Sequence, residues 1–512
     1  MSAAKVTFLR PVVKLIPPQI PDSDFSRLMA EGFALAKANP HILEAIDRDR
    51  DVVAIEKKQE RLIDQEWLRL RGLRLPGFEV GPSINWAVGL ELGIGRERMP
   101  AIMVLVFILI RGYKGGFKDR KMVSDLADSR TLEIILNSFG LSMPGASTIL
   151  DNINSVTPAT LELILDAQIA LVLFEELDDL KKLTFDSTSV KGNTAFPTDS
   201  GTILGLARRV EHLLRSVSKH GITLKLPAIM SDLLASIAEL HKKIQFSVGK
   251  KNSAKLRAKL YRKLLKIARQ VRQALTKAQH RAAEKLTNLD LLPSRGRIVT
   301  KIVEWAGADL QDLGLAIVNA DKRINQDKKV PNELKIVSLS DSDAAMIVKG
   351  QRDIKVGYKP QIGRSEKGFV TAIIVPEGNA ADSGQLRPIV GQAMKRSGVL
   401  PDVLSLDDGY TNTNDRDYFL GLGIDVVSFS GSKGRNIIPT EDYDSKPYQQ
   451  ARNDRSAVES LMFTLKHNHD MDQVMRRGIE NVRSELLEKV IAYNFFRLIK
   501  LRHDVTARKA AA

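Results

Sequence analysis

The sequence predicts an α/β protein: a mixed sheet that carries the chemistry, helical domains before it, and a long helical insertion after its first strand. Three observations carry that expectation. Two short apolar runs, Lys182 to Asp186 and Val403 to Asp407, read as buried strands that end in carboxylates. From about residue 203 to 330 the apolar residues recur at three-or-four spacing, the period of helices. From about Leu334 the pattern changes to strands, which then alternate with helices.

With 512 residues the chain is long enough for several domains of ~100–200 residues each. Lys and Arg number 77 against 61 Asp and Glu, a formal charge of +16 and a pI of about 9.7. That balance points to a polyanionic partner, nucleic acid ahead of an anionic membrane; a basic protein without one is the plainer alternative. The absence of cysteine excludes disulfides, thiolate zinc sites and Cys nucleophiles. Met1 to Lys5 lacks the apolar core of a signal peptide. The most apolar run, Ala101 to Ile110, falls short of the ~20 residues that span a bilayer and reads as a buried helix. The expectation is a cytoplasmic, nucleoid-associated protein with no membrane partner.

Taken in order, residues 1–78 read as a helical region behind an arm kept extended by Pro17, Pro18 and Pro21, with Pro76-Gly77 as a boundary. Residues 79–180 read as a helical domain. Within it a helix from Met122, a turn at Phe139-Gly140-Leu141, and a helix capped by Ser147-Thr148 have the outline of a helix-turn-helix, an outline that any αα-hairpin shares. The acids at Glu175, Glu176, Asp178 and Asp179 read as a solvated face. Residues 181–202 and 331–504 are assigned to the sheet domain, 203–330 to a basic helical insertion, and 505–512 to a loose tail. In the insertion, Lys242 to Lys285 contains 15 Lys or Arg and one acid, Glu284. A helix so charged repels itself, and a phosphate backbone would relieve the repulsion through Lys259, Arg262, Lys263 and Lys266; a solvated hairpin is the alternative. Val356–Ile362 and Phe369–Val375 read as a hairpin, with Pro360 at an edge or irregular position. Asp382–Ser397 reads as a helix, Asp425–Phe429 as a strand, and Ser430–Asn436 as a loop whose Lys433 and Arg435 are candidate phosphate contacts.

The resulting order is strand with Asp, helical insertion, hairpin, helix, strand with Asp, strand, helix with Glu. That is the order of an RNase H-like domain with an insertion after its first strand. Two strand-end aspartates, Asp186 and Asp407, and a helix glutamate, Glu459, make an all-oxygen set suited to hard divalent cations. On a helix Arg455, Glu459 and Lys466 fall on one side, within ~40° of one another, while Val458, Leu461 and Leu465 form the apolar face. The plainer reading of the first two is a surface i,i+4 ion pair. His467 and His469 have no third ligand at zinc spacing and read as surface or DNA-backbone residues.

Asp186-Ser187-Thr188 with Pro197-Thr198-Asp199-Ser200, Asp407-Asp408-Gly409-Tyr410, and Arg455-x3-Glu459-x6-Lys466 together resemble the DDE transposases of bacterial insertion sequences. Arg452 stands where that family shows Tyr. The resemblance implies a DNA transposase whose Asp186, Asp407 and Glu459 bind two Mg2+ or Mn2+ ions and carry strand cleavage and strand transfer at the ends of its mobile element. It further implies phosphate contacts from Arg455 and Lys466 and a homodimer or higher oligomer on element-end and target DNA. An RNase H-like nuclease without strand transfer, and an inactive DNA-binding derivative, are the alternatives.

Overall fold

The structure, a computed structural model, describes residues 23–71, 98–114, 129–138, 142–247, 253–331, 334–349 and 353–511. The proline arm, the Pro76-Gly77 boundary, the helix start at Met122 and the turn at Phe139 to Leu141 lie outside the described residues. The chain forms two compact units: Met1–Val53, Gly95–Asn193 and Asp343–Ala512 in the first, Ala54–Ile94 and Thr194–Ser342 in the second.

The first helices are α1 (Asp24–Ala38), α2 (Pro40–Leu70), α3 (Ala101–Lys114), α4 (Arg130–Ser138), α5 (Ala146–Asn154) and α6 (Pro158–Phe174). Ser23 and Ser26 close a capping box on α1, and Thr157 caps α6 through the Thr160 N–H. Ser147 and Thr148, expected as caps, fall inside α5, whose N-cap is Gly145 without a side-chain bond. Helix α3 is apolar on nearly every side, and Met103 to Ile110 are buried throughout. No single described helix is long and apolar enough to cross a membrane. Of the acids after α6, Glu176 and Asp179 are exposed as expected, whereas Glu175 makes a bidentate pair with Arg502, and buried Asp178 accepts the Leu180 and Lys367 N–H groups.

Strands β1 (Lys182–Ser187) and β2 (Val190–Lys191) precede the second unit's helices α7 (Asp199–Ser216), α8 (Met230–Gln245), α9 (Ser253–Thr287) and α10 (Pro293–Asn325). These four share one apolar core, to which α9 gives Tyr261, Leu264, Leu265, Ala268, Val271, Leu275, Ala278 and Ala282. Leu256, Leu260 and Ile267 continue the three-or-four spacing along α9, but Leu256 is exposed and Leu260 and Ile267 are half-buried. Lys259, Arg262, Lys263 and Lys266 point to solvent.

The strands of the sheet domain are β3 (Ala345–Lys349), β4 (Asp353–Tyr358), β5 (Gln361–Ser365) and β6 (Val370–Ile374). A 3-10 turn, Asp382–Gln385, leads into α11 (Leu386–Ser397), then β7 (Val403–Leu406), α12 (Thr413–Gly421) and β8 (Val426–Phe429). Short helices α13 (Ser432–Ile437) and α14 (Thr440–Tyr443) precede α15 (Lys446–Asp454), α16 (Ser456–Asn468) and α17 (Ile479–Ala511). The expected strand Val356–Ile362 is broken at Lys359-Pro360. Strand β4 lies in a three-stranded sheet ordered β2-β4-β3, and β5 in the five-stranded sheet, so Pro360 sits where the chain changes sheets. Helix α17 continues through residues 505–511, where a loose tail was expected. Of the expected loop Ser430–Asn436, Ser432 onward is helical, in α13.

The five-stranded sheet has the order β6-β5-β1-β7-β8. The central β1 pairs antiparallel with β5 and parallel with β7, and β7 pairs parallel with β8. Thr184 lies opposite Ser405 and Phe185 opposite Leu406, so Asp186 and Asp407 leave neighbouring strands at one level. Leu183, Phe185, Leu404 and Leu406 bury on one face against Ile389 and Val390 of α11, Phe419 of α12 and Phe429 of β8. Each such side chain is worth roughly 1.5–3 kcal/mol when fully buried, and a one-residue slip would turn all four to the opposite face. That burial fixes the register that brings the two aspartates together. Gly363 permits close strand approach, since a Cβ there would sit 2.6 Å from the Phe185 ring.

Candidate active site

Asp186 ends the apolar run of β1, and its side chain is 13% exposed. Asp407 follows the last residue of β7, with Oδ1 accepting the Ser430 hydroxyl at 3.2 Å. Glu459 lies in the first turn of α16, whose Val458, Leu461, Met462 and Leu465 pack inward. The expected apolar face of this helix is therefore the observed one, and the helix touches β1 beside Asp186.

Arg455, at the start of α16, joins the three acids. Its guanidinium lies 3.7 Å from the Asp186 carboxylate, 3.3 Å from Asp407 and 3.3 Å from Glu459. The expected i,i+4 pair with Glu459 is present, as one arm of a four-residue cluster. Its arms to Asp186 and Asp407 span the sheet, which helical spacing cannot report. Among the described residues no group of three or more His, Cys, Asp or Glu side chains is assembled as a metal site; the three acids meet through Arg455.

Lys466 is half-buried about two turns beyond Glu459 on α16, and its charge bears on Asp472. Burial raises the Asp472 carboxyl, but the Lys355 ammonium, with Lys466 and His467, holds it below the usual range. Lys433 and Arg435 are exposed on α13, and Arg435 lies over the Tyr443 ring, 5.5 Å from its centroid. His469 is buried against Tyr493 and Phe496 rather than at the surface, and burial, with Lys489 nearby, pushes it down to about 4. Exposed His467 stacks on Phe463.

The neighbouring acid Asp408 has a different occupation. Its carboxylate accepts the Gly434 N–H at 3.0 Å and the Lys433 N–H at 3.4 Å, capping α13. Strand alternation separates the two acids: Ser405 and Asp407 share one face, Leu404 and Leu406 the other.

Four further polar residues surround the Asp407 turn, and sequence reasoning gave none of them a role. Tyr410 is fully buried and donates its hydroxyl to Gln361 Oε1. Gln361, also buried, donates to Asp382 at 2.9 Å, and Lys359 pairs with the same carboxylate at 2.8 Å. Their only signal in the sequence was the Tyr of the Asp407 motif; the rest are single residues without periodicity.

Two strand-end aspartates and a helix glutamate are thus joined by one arginine on a mixed α/β domain. Residues 340–495 match the family described as Transposase DDE domain. The chain thus carries a DDE transposase domain. The match contains Asp407, Arg455, Glu459 and Lys466 and begins after Asp186, which the 194–342 unit separates from it in sequence. No curated protein and no solved structure matches the chain.

Proposed function

We propose that this protein is a DNA transposase that cleaves strands at the ends of its mobile element and joins them to target DNA, with Asp186, Asp407 and Glu459 as its catalytic acids. The observation that carries the reading is the approach of all three carboxylates to one cation, the Arg455 guanidinium. The strand order, with β1 central and antiparallel to β5, supports an RNase H-like assignment of the sheet.

The donor set is all oxygen, and it already draws a cation from three directions, so it fits Mg2+ or Mn2+. Asp186, Asp407 and Glu459 would hold two such ions. When bound, they would supply Lewis acidity at the scissile phosphate. The protein's own residues position the substrate. Arg455 and Lys466 lie along the α16 side that carries Glu459 and would hold phosphates flanking the scissile bond, with Lys433 and Arg435 on α13 as further contacts. Hydrolysis leaves a 3′-hydroxyl, which then displaces a 3′-oxygen from a target phosphodiester. Pairing two element ends calls for a homodimer or higher oligomer on DNA.

A supercoiled plasmid carrying the element ends tests the reading. With Mg2+ or Mn2+, nicked, excised and joined products are expected on a gel; in EDTA, end binding without cleavage. Cleavage that persists in EDTA would overturn the metal assignment, and cleavage without any joined product would make the protein a nuclease.

Helix α9 is the proposed non-specific phosphate contact. Among the described residues, no carboxylate lies within ion-pair distance of Lys259, Lys263 or Lys266, and all three are exposed. Replacing Lys259, Arg262, Lys263 and Lys266 with Gln is expected to weaken DNA binding. Each phosphate left without its cation should lower the slope of log K against log salt by about 0.9. An unchanged slope would remove α9 from the DNA interface.

A further inference from the structure

The Asp407 turn is tied to the strand beside Asp186 by a chain of polar groups, two of them fully buried and two half-buried. The turn is closed by the Tyr410 N–H, which donates to the Asp407 carbonyl at 3.0 Å. From there the Tyr410 side chain runs inward, and its hydroxyl donates to Gln361 Oε1. Gln361 is the first residue of β5 and pairs with Ser187, the neighbour of Asp186. Its Nε2 donates to Asp382 at 2.9 Å, and the Lys359 ammonium meets the same carboxylate at 2.8 Å. The Thr188 N–H donates to the Pro360 carbonyl at 3.0 Å, which fastens the Lys359–Gln361 segment to the end of β1. Gly409 lets the turn lie on Asp382, since a Cβ there would be 2.8 Å from Asp382 Oδ2.

We propose that Tyr410, Gln361, Asp382 and Lys359 are positioning residues that hold Asp407 at a fixed height beside Asp186, so that the two carboxylates can serve one pair of cations. This rests on the reading of those acids as metal ligands.

Several features set this chain apart from ordinary core packing. Tyr410 and Gln361 are fully buried, and the Tyr410 N–H bonds the Asp407 carbonyl directly. Asp382 fixes the direction: paired with Lys359, its carboxylate only accepts, so the Gln361 amide NH2 must face it, which leaves Gln361 Oε1 toward the phenol and makes the phenol the donor. The Lys359 ammonium balances the Asp382 charge, which leaves Asp382 an acceptor for Gln361. Each residue has one satisfying arrangement, and that arrangement sets where the Asp407 backbone sits. Partners that orient ligating carboxylates without touching the metal are commonly worth 10–100-fold in affinity or activity.

The test uses the full chain and Mn2+ as probe, titrated by electron paramagnetic resonance, beside strand cleavage and end-DNA binding. Tyr410→Phe and Gln361→Leu keep side-chain bulk and remove the central hydrogen bond. Each is expected to weaken Mn2+ binding and slow cleavage by about 10-fold or more, with the Kd for DNA unchanged. The double variant should lose no more than the worse single variant, because both delete one link. Asp382→Asn, which keeps an acceptor for Gln361, should retain most of the wild-type affinity. Thermal melting screens for folding, and a single variant that fails to fold leaves the other to decide. Wild-type Mn2+ affinity in folded Tyr410→Phe or Gln361→Leu protein would overturn the proposal while leaving the acids as ligands. Multiplicative losses in the double variant would also overturn it. A wild-type chain that binds no Mn2+ would overturn the ligand assignment and this proposal together.

Discussion

Asp407→Asn is expected to abolish strand cleavage while end-DNA binding stays at its wild-type affinity. The substitution keeps size and shape, so β7 retains its register and the Ser430 hydroxyl keeps a neighbour. It removes the charge that draws a cation to this position and that faces the Arg455 guanidinium 3.3 Å away. For a group that itself ligates the metal, the loss should exceed about 100-fold, the upper end of what supporting partners carry. Asp408→Asn is the matched control. Asp408 caps α13 through the Lys433 and Gly434 N–H groups, and an asparagine carbonyl can accept either bond. Its cost should stay under about 1 kcal/mol of stability, with substantial cleavage retained. Purified folded variants with the opposite pattern would move the catalytic role from Asp407 to Asp408.

The register behind that prediction was legible because one face of each strand is buried in large apolar side chains. Leu183, Phe185, Leu404 and Leu406 announce the core face, and Asp186 and Asp407 fall on the other by alternation. The same holds for α16, where Val458, Leu461 and Leu465 mark the inward side. Contacts between elements left no such mark. Arg455 reads from sequence as a helix-surface cation beside Glu459; its approach to Asp186 and Asp407 depends on where α16 docks, and no period encodes that. Gln361 and Asp382 lie on either side of β6, and Tyr410 reaches them from beyond α11, so their linkage exists only in the folded sheet. The break at Pro360 was half legible. The missing N–H argued for an irregular position, but nothing local showed that the chain changes sheets there. Ser430 to Asn436 reads as loop because of its glycines and lysine, yet Ser432 onward is helical, with Asp408 capping that helix from outside the segment.

Glu488→Met is expected to destabilise the first unit by about 3–5 kcal/mol, the cost of breaking a buried ion cluster from one side. Glu488 lies on α17 with its side chain 2% exposed. Arg111 of α3 grips it bidentately, Nε to Oε2 at 2.9 Å and Nη2 to Oε1 at 2.6 Å, and Arg476 adds a bond to Oε2 at 2.6 Å. Burial alone would raise this carboxyl, yet the two guanidiniums outweigh it and hold it below the ordinary 4.5. A lowered folded value means that the stabilisation is present above pH 4.5 and is lost as pH falls through that folded value. The helices leave little room to relax, since a Cβ on Gly112 would meet the Glu488 carbonyl oxygen at 2.2 Å. In the methionine variant the Arg111 charge is left without a counter-ion at 8% exposure, whereas Arg476, 15% exposed, reaches water more readily. Arg111→Met on top of Glu488→Met should therefore recover most of the loss, because it removes the stranded charge and leaves two apolar side chains in contact. Urea unfolding followed by near-ultraviolet circular dichroism reads both variants. Equal stabilities of wild type and Glu488→Met, or a double variant worse than the single, would show that the cluster does not hold α3 to α17.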